Sequence, residues 1–137
     1  MQPSRPLLNT WLWTVGAVSG LVWGLLVLVG ASLGPSQYVP RLLSSYHLEH
    51  FLAFYAVGLL AAAALPRLRL IYLGLALLGI AAALELVRTY IPPHQLAAAP
   101  DFVADVGGVF AALLPLLVGR FRKLVLEQPS LHPDLAP

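Results

Sequence analysis

Residues 11–33 read WLWTVGAVSGLVWGLLVLVGASL, a run with no charged side chain that closes on Gly34-Pro35. A bilayer core about 30 Å thick needs roughly 20 apolar residues to be crossed as an α-helix, so this run spans with some tilt. Trp11 and Trp13 at its start are of the type that anchors at a membrane interface. A cleaved signal peptide would share the preceding Arg5 and the small residues Gly30-Ala31-Ser32, but its apolar core would be shorter. The run reads as a retained first membrane helix.

Three similar runs follow, each bounded by proline, which cannot continue a helix without losing a hydrogen bond. His47 to Leu65 ends at Pro66, Arg69 to Tyr90 ends before Pro92-Pro93, and Asp101 to Gly119 follows Pro100 and contains Pro115. The expected fold is an all-α membrane protein whose four transmembrane helices (11–33, 47–65, 69–90 and 101–119) form a small bundle. Residues 1–10 precede it, and a basic then proline-rich tail, 120–137, follows. Composition agrees, because 137 residues at 59% apolar and 10% charged lie far from the soluble average of roughly 25% charged. Four crossings use most of this length, leaving no room for a soluble domain. Ala104, Gly108 and Ala112, four apart, suggest a face where helices approach closely.

Composition also excludes functions. With no cysteine the chain has no disulfide, thiol nucleophile or thiolate ligand. Its few arginines sit in loops and form no basic stripe with aromatic platforms, so nucleic acid is not an expected partner. Orientation follows from those same residues. Arg5, Arg67, Arg69, Arg120, Arg122 and Lys123 fall on one side of the four spans, against Arg41 and Arg88 on the other. The positive-inside rule then places both termini in the cytoplasm and the loops 34–47 and 90–100 outside.

A rise of about 1.5 Å per residue places His50 about 25 Å from Arg67, Glu85 about 24 Å from Arg69 and Asp105 about 22 Å from Arg120. All three therefore lie at one depth, roughly 5–8 Å below the outer boundary. His47, Glu49, Arg88, His94 and Asp101 lie at or just above that level. Ionisable groups inside a membrane are costly and normally face partners in the bundle, so His50, Glu85 and Asp105 are expected to form one interhelical network. The bland readings are an i,i+3 pair for Glu85 and Arg88, a helix-start role for Asp101, and interfacial positions for His47 and His94. On depth alone, Asp105 ranks above Asp101 in importance. A metal held by His50, Glu85 and Asp105 is chemically feasible, but no spaced ligand motif supports it, and neither a metal nor a cofactor is expected. Ser44, Ser45 and Thr89 lack a nucleophile motif.

His50-Phe51 opening a helix with Tyr55 beyond, Glu85 near the end of the next, a loop with Pro93, and then Asp101-x-x-x-Asp105-x-x-Gly108 together resemble the VanZ-like family of teicoplanin-resistance-type membrane proteins. The resemblance covers about residues 46–119. Arg88 stands where that family usually has Gln, His94 near its usual Arg, Asp105 at its usual Asn, and Tyr46-His47 where Asp-Lys is common. The resemblance implies a bacterial inner-membrane protein with an outward-facing polar site of His47, His50, Glu85, Arg88, His94, Asp101 and Asp105. Such a site is expected to engage an envelope lipid, a cell-wall precursor or a glycopeptide. The alternatives are a small accessory subunit of a larger membrane complex and a lipid-modifying enzyme using Glu85, Asp105 and His50. A non-enzymatic role is the leading expectation.

Overall fold

The computed structural model describes residues 5–34, 43–90 and 99–126. They form four α-helices: α1 (Arg5–Leu33), α2 (Tyr46–Ala64), α3 (Leu70–Tyr90) and α4 (Ala99–Leu126). No strand occurs among the described residues. All four are long and apolar enough to cross a membrane, which gives a multi-pass membrane architecture.

Local chemistry sets the helix ends. Ser45 caps α2, its Oγ accepting the Leu48 N–H at 3.4 Å, and the Glu49 carboxylate accepts the Leu43 N–H at 2.6 Å. The first satisfies a backbone donor that a helix start leaves open, and the second ties the preceding segment back onto the first turn. Two ends differ from the sequence reading. α1 already begins at Arg5, and α4 runs through Pro115 and past Gly119 to Leu126. Pro115 removes only one backbone donor, and its neighbours keep the helix continuous. Arg120, Arg122 and Lys123 then sit near the helix C-terminus, where cations favour the dipole. The proline-rich remainder of the tail, like Arg41 and His94, lies outside the described residues.

The side of each helix that carries small residues decides the packing. α2 and α4 pack most extensively, running parallel with their N-termini at one end. They meet where Gly108 lies against the backbone of Phe51 and Tyr55, and again where Gly58 faces Ala112. α1 runs antiparallel to α2, with Gly20 and Gly24 against Leu60 and Val57. α3 packs antiparallel to α4, with Gly74 near Leu113. Among the described residues α1 packs on α2 and α3 but not on α4. The core between the helices holds Phe54, Val57, Ala61, Leu70, Leu73, Leu77, Ala81, Leu84, Val109 and Leu113. Apolar side chains of α1, including Trp11, Trp13 and Trp23, are exposed on the bundle surface. Lipid solvates that surface, so packing rather than a hydrophobic drive between helices selects the contact faces.

Candidate functional site

Because α2 and α4 are parallel and in register, residues at matching turns of the two helices face each other. His47 and His50 occupy successive turns of α2, and Asp101 and Asp105 occupy successive turns of α4. The structure pairs them in the same order. His47 Nδ1 lies 2.7 Å from Asp101 Oδ1, and His50 Nδ1 lies 2.8 Å from Asp105 Oδ1. Gly108, one turn below Asp105, has no Cβ and lets the two backbones come close enough for both bonds to form. Each carboxylate is also within the first two turns of α4, where the dipole favours negative charge.

A third helix closes the cluster. Arg88 of α3 lies 3.5 Å from Glu85 Oε2, one turn earlier on its own helix, and 3.5 Å from Asp101 Oδ2. It also donates a hydrogen bond to the Tyr46 hydroxyl and lies 5.5 Å from the centre of that ring, in cation–π range. The Tyr46 ring in turn meets His50 edge-on at 4.5 Å between centroids. Asp101 thus joins His47 to Arg88, and Tyr46 joins Arg88 to His50. Among the described residues, no buried side-chain polar atom lacks a partner. That is the condition for placing ionisable groups at this depth in a bilayer.

His50, Glu85 and Asp105 therefore share one cluster, but not as a direct triangle. His50 and Asp105 bond to each other, whereas Glu85 reaches them through Arg88 and Tyr46. The i,i+3 pairing of Glu85 with Arg88 is present and forms part of this larger assembly. Asp101 departs most from its reading as a helix-start residue. It is 4% exposed, against 2% for Asp105, and it serves two partners where Asp105 serves His50. Depth along the helix missed this because the start of α4 is covered by α2 and α3 instead of facing water. Tyr46 is the member that sequence reasoning did not single out. The available signal was its i,i+4 spacing from His50, which puts both on one face of α2.

The two histidine pairs differ in access. The side chains of His50 and Asp105 are 10% and 3% exposed, so that pair is interior. In the other pair Asp101 is 5% exposed but the His47 ring is 55% exposed. A carboxylate has no proton to donate, so each Nδ1 carries the hydrogen, and in a neutral imidazole Nε2 keeps its lone pair. His47 is thereby an accessible acceptor or base held in one tautomer by Asp101. Arg88, which meets the other oxygen of Asp101, is 12% exposed, and its partner Glu85 is 14% exposed. No group of residues among those described is arranged to hold a metal ion. His94 lies outside the described residues. No family model matches the chain, and neither a curated protein nor a solved structure matches it.

Proposed function

We propose that this chain is a VanZ-like protein of the bacterial cytoplasmic membrane, with both termini in the cytoplasm. Its polar cluster binds the headgroup of an envelope lipid, a cell-wall precursor or a glycopeptide at the outer leaflet. The observation that carries this reading is the half-exposed His47, fixed by Asp101 beside Arg88 at the end of an otherwise apolar bundle where α2 and α4 begin. Charge narrows the ligand. Glu49, Glu85, Asp101 and Asp105 stand against Arg88 at this end, so with neutral imidazoles the described cluster is acidic. It favours donor-rich headgroups, bearing hydroxyl, amide or ammonium groups, over bare anions. Sugars and amines in envelope lipids, precursors and glycopeptides have that chemistry.

The reading is tested by purifying the chain gently and identifying bound molecules by native mass spectrometry. A retained glycan- or amine-bearing lipid is expected, with loss of roughly tenfold in retention for His47→Ala, equivalent to about 1.4 kcal/mol for one good polar contact. A stoichiometric protein partner with no bound lipid would favour the accessory-subunit reading. Turnover of the retained lipid that disappears in His47→Ala would favour the enzyme.

Topology is tested separately. The chain has no cysteine, so a single introduced thiol reports without background. Ser44→Cys, at an exposed position before α2, is expected to react with an impermeant thiol reagent in intact cells, and Arg122→Cys is not. The opposite pattern would move the polar cluster to the cytoplasmic face.

A further inference from the structure

At the end of the bundle far from the polar cluster, α2 and α4 no longer touch closely. Their contact is pinned at Gly108 and at Gly58–Ala112, and beyond it α2 lines the gap with Leu59, Ala62 and Ala63 while α4 contributes Pro115 and Gly119. The result is an open groove of about 460 Å³ floored by Leu59, Ala62, Ala63, Leu70 and Leu116 and rimmed by Arg120 and Lys123. Leu116, Gly119, Arg120 and Lys123 follow one face of α4 at i, i+3, i+4, i+7, so an apolar track leads directly into two cations.

We propose that this groove is a site for one anionic phospholipid of the leaflet opposite the polar cluster, with an acyl chain along the floor and the phosphate against Arg120 and Lys123. Position supports this. The rise from Asp101 to Arg120 is about 28 Å along α4, close to the roughly 30 Å hydrocarbon thickness. When Asp101 lies near one boundary, Arg120 reaches the phosphate level of the other. Charge complementarity supports it as well, because the described carboxylates Glu49, Glu85, Asp101 and Asp105 all lie at the far end of the bundle from these cations. Basic recesses between membrane helices suit anionic headgroups, whereas cations on a smooth helix surface attract them without selecting one molecule. The inference is independent of any ligand at the polar cluster and uses none of its residues.

The test uses the full chain in nanodiscs of mixed phosphatidylglycerol and phosphatidylcholine, with retained lipid counted by native mass spectrometry. One phosphatidylglycerol is expected to persist per chain. Arg120→Gln and Lys123→Gln should each lower its retention relative to phosphatidylcholine roughly fivefold. Gly119→Leu separates a groove from general surface attraction. Gly119 lines the groove and a Cβ there meets nothing within 4 Å, so a leucine can be added at its wall without disturbing the backbone. Helicity and melting temperature should hold, because leucine favours a helix more than glycine does. Loss of the retained lipid in Gly119→Leu, with the charges intact, supports the proposal. Unchanged retention in that variant, or equal retention of the two lipids by the native chain, overturns it.

Discussion

Gly108→Ala is expected to force α2 and α4 apart and to be the most destabilising conservative change in the bundle. A Cβ at this position would overlap the Phe51 carbonyl oxygen and lie 3.0 Å from the Tyr55 nitrogen. Both atoms are backbone, so no rotamer change relieves the conflict and a whole helix must move. Overpacking typically costs about 1–3 kcal/mol, and a clash with rigid backbone belongs at the upper end. The damage should also reach the polar cluster. Asp105 is one turn from Gly108, and its 2.8 Å bond to His50 does not survive a helix shift of an ångström. An unfolding equilibrium in lipid should therefore show the loss of stability, and imidazole resonances should show loss of the His50 bond. Gly16→Ala is the control, since a Cβ there meets nothing within 4 Å and the change should be neutral or slightly stabilising. Gly58→Ala is intermediate, because the conflict is with the Ala112 Cβ at 2.8 Å. Pairing it with Ala112→Gly removes that side-chain atom and should restore much of the loss, a coupling readable in a double-mutant cycle. Wild-type stability in Gly108→Ala would mean that the close α2–α4 approach is not the joint that holds the bundle.

Asp101→Ala and Asp105→Ala are expected to fail in different ways. Asp105 serves the interior His50, so its removal leaves a buried imidazole without its acceptor. In water-soluble proteins that costs about 1–3 kcal/mol, and interhelical bonds in membranes contribute about 0.6–2 kcal/mol because the reference state also finds partners. Stability should fall while ligand retention per folded molecule is largely kept. Asp101 joins the exposed His47 to Arg88. Without it, His47 loses the bond that fixes its tautomer, and Arg88 keeps Glu85 and Tyr46 but no longer touches the histidine pair. Ligand retention should fall by more than tenfold with a smaller stability change. Asp101→Asn keeps the shape without the charge and should recover part of the stability but little of the binding. The measurement is retained ligand per folded chain at matched expression, set beside unfolding free energy. Equal losses of binding in both alanine variants would show that the two histidine pairs act as one unit, and a larger binding loss in Asp105→Ala would move the site inward to His50.

Much of this architecture is legible in the sequence because a bilayer imposes strict local rules. Every backbone polar group of a spanning helix must be satisfied within its own segment, so uninterrupted apolar runs such as 11–33 read as helices, and prolines such as Pro66 and Pro100, though not Pro115, stand at their limits. Depth is equally local: a fixed rise per residue puts His50, Glu85 and Asp105 at one level before any contact is known. Tertiary structure decided the partners. Hydropathy makes every helix apolar on all sides, so it cannot say that α2 packs closely on α4 and only lightly on α3, or that α1 stays clear of α4. Those choices depend on where glycine and alanine let backbones approach, a property of two surfaces together. The same reason hid the roles of Asp101 and Tyr46. Whether a carboxylate at a helix start caps the helix in water or joins a histidine to an arginine depends on what covers that end. Only the joint arrangement of α2, α3 and α4 determines the cover.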